Sequence, residues 1–417
     1  MFITRNKSKV LVMTFRRYKI GELGKVVTGK TPSTHNTDYW DGDFPFITIP
    51  DLNELPFVKY SSRTLSQLGA TAIKSQMLPE NSVLMSCIAT VGKCGITTKP
   101  SFTNQQINAV IPNDKVNPLF LLYLFRNLGT EMSQFGSGGT VYSNISKSLF
   151  ESIEVQIPES LVLQSAIARI LSVLDAKIAI NNELSKTSEN IARAIFKSWF
   201  IDFDPVKAKM AGEKPSGMDT ATAKLFPNLM EESELGLIPK GWDVRSIGDS
   251  VIKQKVGKLF DSKTSATFGS TPILDQGKSG VVGYHNEEAG VFASPDAPLV
   301  VFANHTCSLR IVSYPFSVIQ NVFPLIGNQV DVMWMYFAVE GKQQFDSYKG
   351  HWPDFVLHKI IQPTEQATQA FRKAVEPLLK QKWLLEEQSK ILADLRDSLL
   401  PRLFSGELQI PEEMVAS

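Results

Sequence analysis

The segment PSFTNQQINAVIP at residues 100–112 and the segment PFSVIQNVFPLIG at residues 315–327 are two copies of one pattern, and this duplication decides the fold. Each copy directly follows a β-rich stretch, at residues 78–96 in the first half and 296–312 in the second. Similarity at a spacing of about 200 residues indicates a duplicated domain rather than a solenoid of short repeats.

The similarity extends outward from these segments in the same order in both halves. Each half begins with a short strand-like segment, YKIGELGKV at residues 18–26 and WDVRSIGDSV at residues 242–251. After the β-rich block, each half offers an aromatic helical segment, a polar loop that contains glycine, and a strand that ends at a proline. The helical segments are 117–129 and 331–343, the polar loops are 137–146 and 347–356, and the strands are 153–159 and 358–365.

A long helix is predicted after each β-rich block. Apolar residues recur every seven residues in the second helix, a spacing typical of helices packed along a seam. Pro377 lies in this run and predicts that the helix restarts there, while Pro401 predicts its end. In the first helix, Asn181 and Ser188 fall on the seam, where polar residues fix register and partner choice at a cost in stability.

We expect the two helices to pack together, because two apolar stripes in equivalent positions can bury each other. The alternative is that each helix packs only within its own globular domain. The residues predicted to pack, against the other helix or another subunit, are Ile167, Leu174, Leu184, Ile191, Ile195, Phe371, Leu378, Leu385, Leu392 and Leu399.

The sequence therefore predicts an α+β protein with a pseudo-two-fold internal repeat, in which two long packed helices separate two similar β-rich domains. A connector rich in proline, glycine and charge joins the halves, and Phe203, Leu225 and Phe226 indicate that parts of it are ordered. The predicted boundaries are 14–159 and 241–364 for the β-rich domains, 160–204 and 365–408 for the helical regions, and 205–240 for the connector.

The composition is that of a globular protein, with 417 residues, 43% hydrophobic and 20% charged. The net charge of +1 predicts no strongly basic domain, although a local patch suffices for binding nucleic acid. The three cysteines favour a reducing cytoplasm over a disulfide framework, and no apolar run is long enough to span a membrane. Met1 and Met13 both remain possible starts.

Three catalytic interpretations find little support. Asn117-Pro118-Leu119-Phe120 resembles the tetrapeptide with which adenine methyltransferases hold a flipped base, but its third residue is not proline and it opens an apolar helix. Asp354 with Lys359 resembles only weakly the clustered carboxylates and lysine that a nuclease places around a metal ion. The five histidines lack metal-ligand spacing. We therefore expect no catalytic residue and no metal site.

The segment GKVVTGKT at residues 24–31 matches the phosphate-binding loop pattern GxxxxGK[ST]. Such a loop must lead into a helix whose N-terminus receives the phosphates, whereas here Pro32 and a polar run follow. A turn that presents Lys25, Lys30 and hydroxyl groups to a phosphate backbone is the favoured interpretation. A nucleotide hydrolase and a coiled-coil scaffold without a DNA role remain alternatives.

Polar loops lie between the same elements in both halves and carry groups that suit base edges and phosphates. As candidate DNA-binding residues the first half offers Lys30, Thr31, Ser33, Thr34, Asn36, Asn104, Gln105, Thr140, Tyr142 and Asn144. The second half offers Lys255, Lys258, Gln276, Lys278, Arg310, Lys349 and His351, in loops that also hold Lys263, Gln320 and Asn321.

Several separate stretches, in the right order over nearly the whole chain, resemble the specificity subunit of type I restriction–modification enzymes. The second β-rich block, about 250–360, matches less well in detail. The matching stretches are 20–34, 38–52, 78–86, 103–113, 166–184, 191–205, 233–242 and, at the end, LRDSLLPRLFSGEL at 395–408.

The resemblance implies a non-catalytic subunit with two target-recognition domains, each of which reads half of a split site in double-stranded DNA. It implies helical regions that dock two modification subunits, which methylate adenine with S-adenosylmethionine, and restriction subunits that use ATP and Mg. This chain itself would hold no cofactor, and partners would share the phosphate contacts.

Overall fold

The computed structural model describes residues 14–52, 55–135, 144–261, 263–277, 280–347 and 349–411. The chain forms two compact units: unit 1 holds the residues up to 182 together with those from 388 onward, and unit 2 holds residues 183–387. The predicted candidates Thr140, Tyr142 and Lys278 and the two possible starts lie outside the described residues.

In the described part of the first half, the chain forms short strands, three short or medium helices and one long helix. The strands are Phe15–Lys19 (β1), Gly24–Thr28 (β2), Trp40–Ile47 (β3), Phe57–Val58 (β4), Arg63–Leu65 (β5), Val83–Ser86 (β6), Cys94–Thr97 (β7), Phe102–Thr103 (β8), Ile107–Pro112 (β9) and Glu154–Pro158 (β10). The helices are Gln67–Ala72 (α1), Pro118–Phe135 (α2), Lys147–Ser152 (α3) and Leu161–Phe200 (α4).

The second half adds a connector before a similar set of elements. The connector holds helices Asp204–Met210 (α5) and Thr220–Lys224 (α6) and strands Met230–Ser233 (β11) and Gly236–Pro239 (β12). The strands after it are Asp243–Ser246 (β13), Val251–Lys253 (β14), Leu259–Phe260 (β15), Thr271–Leu274 (β16), Val281–His285 (β17), Leu299–Ala303 (β18), Leu309–Val312 (β19), Ser317–Ile319 (β20), Val322–Gly327 (β21) and Lys359–Gln362 (β22). The helices are Ile247–Ser250 (α7), Val332–Val339 (α8), Trp352–Phe355 (α9) and Glu365–Phe404 (α10).

The internal repeat that the sequence predicted is seen in the structure as the same strand order in both halves. The order β2-β9-β6-β7 in the first half corresponds to β14-β21-β18-β19 in the second. In a second sheet, β3 pairs with β8 in parallel and with β5 antiparallel, and β16 pairs in the same way with β20 and β17. Each half also joins its first and last strands, β1 with β10 and β13 with β22. The α+β fold with an internal repeat is therefore confirmed.

The main core cluster of unit 1 lies between its larger sheet and the helices α2, α3, α4 and α10. All four residues of β6 are buried, as are residues 120–125 of α2. Ile167 and Leu171 of α4 join this core together with Leu400 and Leu403 of α10. Burial of large aliphatic and aromatic side chains contributes about 1.5–3 kcal/mol each and is the main source of stability here.

The core of unit 2 is an aromatic cluster built around the end of α4. Phe196, Trp199 and Phe200 recur at helical spacing, and Phe200 contacts Phe371 of α10 and Trp242, with ring centroids 5.5 and 5.8 Å apart. Helix α8 is apolar on all sides, and its residues 333–339 are buried, as expected for a helix inside a core. Phe226 is also buried, so this part of the connector packs in the same core.

Two details of the long helices differ from the prediction. Helix α10 runs without a break through Pro377 and Pro401, because both prolines are exposed and the carbonyl groups that lose a partner, on Lys373 and Asp397, belong to exposed residues where water can bond them. Leu184 and Ile191 are 43% and 45% exposed, so their predicted packing between the helices is wrong.

Small polar residues occupy the buried stripe in their place. Asn181, Ser185 and Ser188 are buried, as predicted for Asn181 and Ser188 on the seam. In unit 1 Asn181 donates to Gln388 at 3.5 Å, and in unit 2 Ser185 donates to Glu386 at 3.3 Å. The other predicted packing residues are buried or half-buried.

A buried carboxylate on α4 ties three helices of unit 1 together. Asp175 accepts hydrogen bonds from Tyr123 Oη and Arg126 Nη1 of α2 and from Arg396 Nη1 of α10, each at 2.7 Å. Burial, and secondarily the charge of Asp175, raise the pKa of Tyr123, so its hydroxyl stays a donor. Asp175 therefore pairs with two guanidinium groups that are themselves mostly buried, and one of them, Arg396, also pairs with Asp397 at 2.8 Å.

Replacing Asp175 with alanine should lower the free energy of unfolding by about 3–5 kcal/mol, because the two arginines lose their buried counter-charge. Denaturant unfolding followed by circular dichroism measures this change. The matched control is Glu159→Ala, which removes an exposed ion pair with Arg16 and should cost less than about 1 kcal/mol. Equal effects of the two substitutions would show that the cluster does not stabilise unit 1.

Candidate nucleic-acid interface

The segment 24–31 does not form a phosphate-binding loop. Gly24 to Thr28 are strand β2, paired antiparallel with β9 from Gly24↔Pro112 to Thr28↔Asn108. Among the described residues between Thr31 and the start of α1 at Gln67, short 3-10 turns occur but no α-helix. A phosphate-binding loop needs the N-terminus of a helix directly after it, and this geometry is missing.

Residues 29–31 instead close onto the turn between β8 and β9. The backbone N–H of Lys30 donates to the carbonyl of Thr103 at 2.9 Å, and Thr31 Oγ1 donates to Gln105 Oε1 at 2.8 Å. A side chain on Gly29 would place its Cβ 2.2 Å from the carbonyl oxygen of Asn104, so only glycine permits this close approach. Two of the loops predicted to face DNA are therefore in direct contact.

A third predicted loop joins the same surface of unit 1. The backbone N–H of Cys87 donates to the carbonyl of Gln106 at 2.8 Å, and Ile145 N–H donates to the carbonyl of Cys87 at 2.8 Å. Ile88 and Asn144 form an isolated antiparallel bridge. The structure thus places Thr31, Gln105 and Asn144 on adjoining backbone segments that are far apart in sequence.

Side-chain contacts within the turn hold its shape. Asn104 Oδ1 accepts from the backbone N–H of Gln106 at 3.2 Å, and Asn104 Nδ2 donates to Gln106 Oε1 at 2.9 Å. Gln105, between them, is exposed. The amide of Asn104 therefore shapes the turn, while Gln105 is presented to solvent.

The remaining candidates of the first half lie in the loop before β3. Ser33 and Thr34 are exposed, and the carbonyl of Ser33 accepts from Trp40 Nε1 at 3.3 Å. Asn36 accepts from the backbone N–H of Asp38 at 3.1 Å and so begins a 3-10 turn. For Asn36 this is a local structural role, and a contact with DNA stays a prediction.

The equivalent surface of unit 2 centres on Gln276. Gln276 Oε1 accepts from the backbone N–H of His305 at 2.8 Å, and its Nε2 donates to the carbonyl of Gln320 at 3.4 Å. The N–H of Asn304 donates to the carbonyl of Asn321 at 3.0 Å, which repeats the bond between Cys87 and Gln106. The predicted loops around Gln276 and Gln320 are therefore in contact.

His305 belongs to this group although the sequence analysis did not single it out. Its ring contacts the carbonyl of Lys349 through Nδ1 at 2.9 Å and Asn321 Nδ2 through Nε2 at 3.2 Å. Histidine in a polar loop carries no distinctive spacing. In the internal repeat, His305 corresponds to a position near Cys87, at the end of the matching strand. This correspondence is the one sequence signal that could have marked His305 as a site residue.

Several cations of the second half are engaged by carboxylates. Lys258 pairs with Glu287 at 2.5 Å, and Lys349 pairs with Asp354 at 3.0 Å and Asp346 at 3.3 Å. Hydrogen bonds to these two aspartates raise the pKa of Lys349. A DNA phosphate would have to compete with these partners.

Lys255 and Arg310 differ sharply in exposure. Lys255 is exposed, whereas Arg310 is half-buried and donates from Nη2 to the carbonyl of Asp275 at 2.6 Å. Burial lowers the pKa of Arg310. Arg310 therefore supports the Asp275–Gln276 segment, and Lys255 is the better placed of the two for a phosphate.

The assignment of His351 to the DNA-contacting surface is wrong. Its side chain is 0% exposed, and Nε2 lies 3.0 Å from the carbonyl of Ser347. His351 N–H donates to the carbonyl of Asn304, and Trp352 N–H donates to Asn304 Oδ1 at 2.7 Å. The loop folds inward here to anchor α9, so this polar residue is structural.

The described residues contain no cluster of three or more histidine, cysteine or acidic side chains that could hold a metal ion. Burial raises the pKa of Cys87 to about 11, so that this thiol stays protonated near neutral pH.

None of the helices in the described part of the chain is long and apolar enough to cross a membrane.

Comparison with known proteins agrees with this architecture. Residues 14–189 match the family described as type I restriction modification DNA specificity domain. The type I restriction enzyme MjaIX specificity subunit of Methanocaldococcus jannaschii is 27% identical over 94% of this chain and 93% of its own length. The HindI specificity subunit of Haemophilus influenzae is 33% identical over 41% of this chain and 38% of its own length.

The fold is also that of a solved structure, the type I restriction–modification system S subunit of M. genitalium. The TM-score is 0.51 at 16% identity, over 97% of this chain and 98% of that one. Residues 14–189 therefore resemble the type I restriction modification DNA specificity domain, and nearly the whole chain is similar to one specificity subunit, in line with the resemblance seen in the sequence. Both of these relatives are named specificity subunits of type I restriction enzymes.

Titration with Mg·ATP should give no saturable heat of binding, because β2 and the residues after it lack the helix N-terminus that receives phosphates. Isothermal titration calorimetry of the wild type and of Lys30→Ala should give the same baseline. Lys25→Ala serves as the control for loss of a nearby charge. Micromolar binding by the wild type that disappears only in Lys30→Ala would contradict this interpretation.

Proposed function

We propose that each unit binds double-stranded DNA and reads one half of a bipartite site. One observation carries the proposal: two copies of the same strand topology present a polar turn at the same place, Gln105–Gln106 in unit 1 and Gln320–Asn321 in unit 2. Amide side chains suit base edges, since they offer a donor and an acceptor together. Independent copies with different side chains suit two different half-sites.

The near-neutral chain is compatible with this role. Exposed Lys25, Lys30 and Lys255 lie on or directly after the strands next to these turns and would contact phosphates. With few such contacts, much of the salt-dependent affinity would come from the partner subunits. Lys30→Ala should then weaken binding to all sequences alike and reduce the slope of log affinity against log salt by about 1.

Modification subunits would dock on the exposed apolar faces of the long helices. On α4, Val173 and Ile180 of unit 1 are 61% and 54% exposed, and their spacing of seven residues keeps them on one face. In unit 2, Leu184 and Ile191 repeat this spacing. On α10, Ile391 and Leu395 in unit 1 and Leu384 in unit 2 are likewise exposed. Apolar stripes of this kind, opposite the buried seam, mark surfaces that another helix can cover.

The chemistry would belong to the partners. Two modification subunits would methylate adenine with S-adenosylmethionine, and restriction subunits would use ATP and Mg. The proposed place of action is the cytoplasm, where chromosomal DNA is available. In this scheme the chain supplies sequence recognition and assembly, and binds no cofactor itself.

Mapping of methylated adenines tests the proposal. The chain is expressed with its own modification subunits in a host without the system, and the genome is sequenced for methylated bases. The expected result is a motif of two specified segments separated by unspecified base pairs. A single continuous motif, or methylation without sequence preference, would refute bipartite reading.

Substitution of Ile180 with aspartate should abolish co-purification with the modification subunit, because it places a charge in the centre of the proposed docking face. Leu68→Asp is the matched control, since Leu68 lies on α1 and is also 54% exposed. Pull-down and thermal melting are measured for both. If both variants lose partner binding, or if neither does, the exposed face around Ile180 is not the docking surface for the modification subunit.

A further inference from the structure

Gln105 and Gln320 occupy the same position of the internal repeat. Each lies two residues before its strand, since β9 begins at Ile107 and β21 at Val322. The register supports this equivalence, because Val110 pairs with Val83 as Leu325 pairs with Val300. Both glutamines are exposed at the tip of their turn.

The backbone of both turns is fixed by equivalent contacts. The residue after each glutamine accepts through its carbonyl from the end of the neighbouring strand, from Cys87 N–H at 2.8 Å in unit 1 and from Asn304 N–H at 3.0 Å in unit 2. In unit 2, Gln276 also donates to the carbonyl of Gln320 itself. Because the backbone of each turn is fixed, Gln105 and Gln320 each extend their amide from a defined backbone position.

In unit 1 the amide group is also oriented. Thr31 Oγ1 donates to Gln105 Oε1 at 2.8 Å, and this contact restrains the orientation of the amide. The oxygen has two acceptor positions and the nitrogen has two donors, so one acceptor and the donors remain for a ligand. In the major groove adenine offers the matching pair, an acceptor at N7 and a donor at N6.

We propose that Gln105 reads an adenine in the half-site of unit 1 by two hydrogen bonds, with Thr31 as its positioning residue, and that Gln320 reads an adenine in the half-site of unit 2. The inference rests on the proposed function. Oε1 accepts from the N6 amino group and Nε2 donates to N7. A good pair of this kind discriminates against a wrong base by about 5- to 150-fold.

The test uses the full complex with its modification subunits, and measures competition among duplexes that differ at one base pair. Gln105→Glu keeps the shape but removes the donor to N7, so affinity for the adenine-containing duplex should fall about 5- to 150-fold, with preference shifting toward cytosine at one position of one half-site. Gln320→Glu should do the same in the other half-site only. Gln156→Glu, an exposed glutamine on β10, controls for the added charge.

Thr31 is tested by the same competition. Thr31→Val should relax preference at the position read by Gln105, and Thr31→Ser should restore it. If the Thr31→Val protein melts at a lower temperature but keeps its base preference, Thr31 is only structural and does not position Gln105 for reading a base.

Other outcomes separate failure of this inference from failure of the proposed function. If the wild-type complex has no sequence preference, the proposed function itself fails. If the wild type has a bipartite preference and Gln105→Glu keeps it, or binds every duplex equally weakly, then Gln105 does not read a base and the inference is overturned.

Discussion

Unit 1 depends on a single buried carboxylate, Asp175, which lies on α4 and joins α2 to α10. Without it, two guanidinium groups and a tyrosine hydroxyl would each lose one hydrogen-bond acceptor in the core. Removal of water from charged groups is costly unless they are paired, so the loss of one member of this cluster leaves the others with an uncompensated cost. The β-rich part is thereby fixed to both long helices at one place.

In unit 2 a different carboxylate, Glu189, joins α4 to a neighbouring helix. Glu189 of α4 accepts from Tyr336 of α8 at 3.2 Å and pairs with Arg193, which in turn pairs with Glu340 at 2.8 Å. In both units a tyrosine from the helix behind the sheet therefore meets an acidic residue of α4. The two contacts are not counterparts in the repeat, because both acidic residues lie on α4, whereas α10 is the helix that follows the second β-rich block. The polar turns precede strands β9 and β21, which belong to the sheets that α2 and α8 contact.

The repeat and the long helices could be predicted because their signals are local and periodic. Apolar runs, seven-residue spacing and paired segments such as 100–112 and 315–327 survive in sequence. The side of a helix that is buried was harder to predict. Leu184 and Ile191 fit an apolar stripe, yet they are exposed, and the buried residues beside them are Ser185, which was not predicted, and Ser188, which was predicted on the seam.

Individual site residues were the least predictable part. His351 and Gln276 are both polar loop residues in sequence, and only the folded chain shows that His351 is buried whereas Gln276 bridges two loops. Which loops come together depends on pairing between distant strands, such as the parallel contact of β3 with β8, and no local pattern records that contact. The equivalence of Gln105 and Gln320 likewise becomes meaningful only through the shared strand register.

Exchange of residues 241–364 for the corresponding segment of a relative with a different methylated motif tests the central claim, that each unit reads its own half-site. The chimeric chain is expressed with its modification subunits, and methylated adenines are mapped across the genome. The account predicts that one half of the motif is retained and the other half becomes that of the donor. A motif in which both halves change, or neither does, would contradict it.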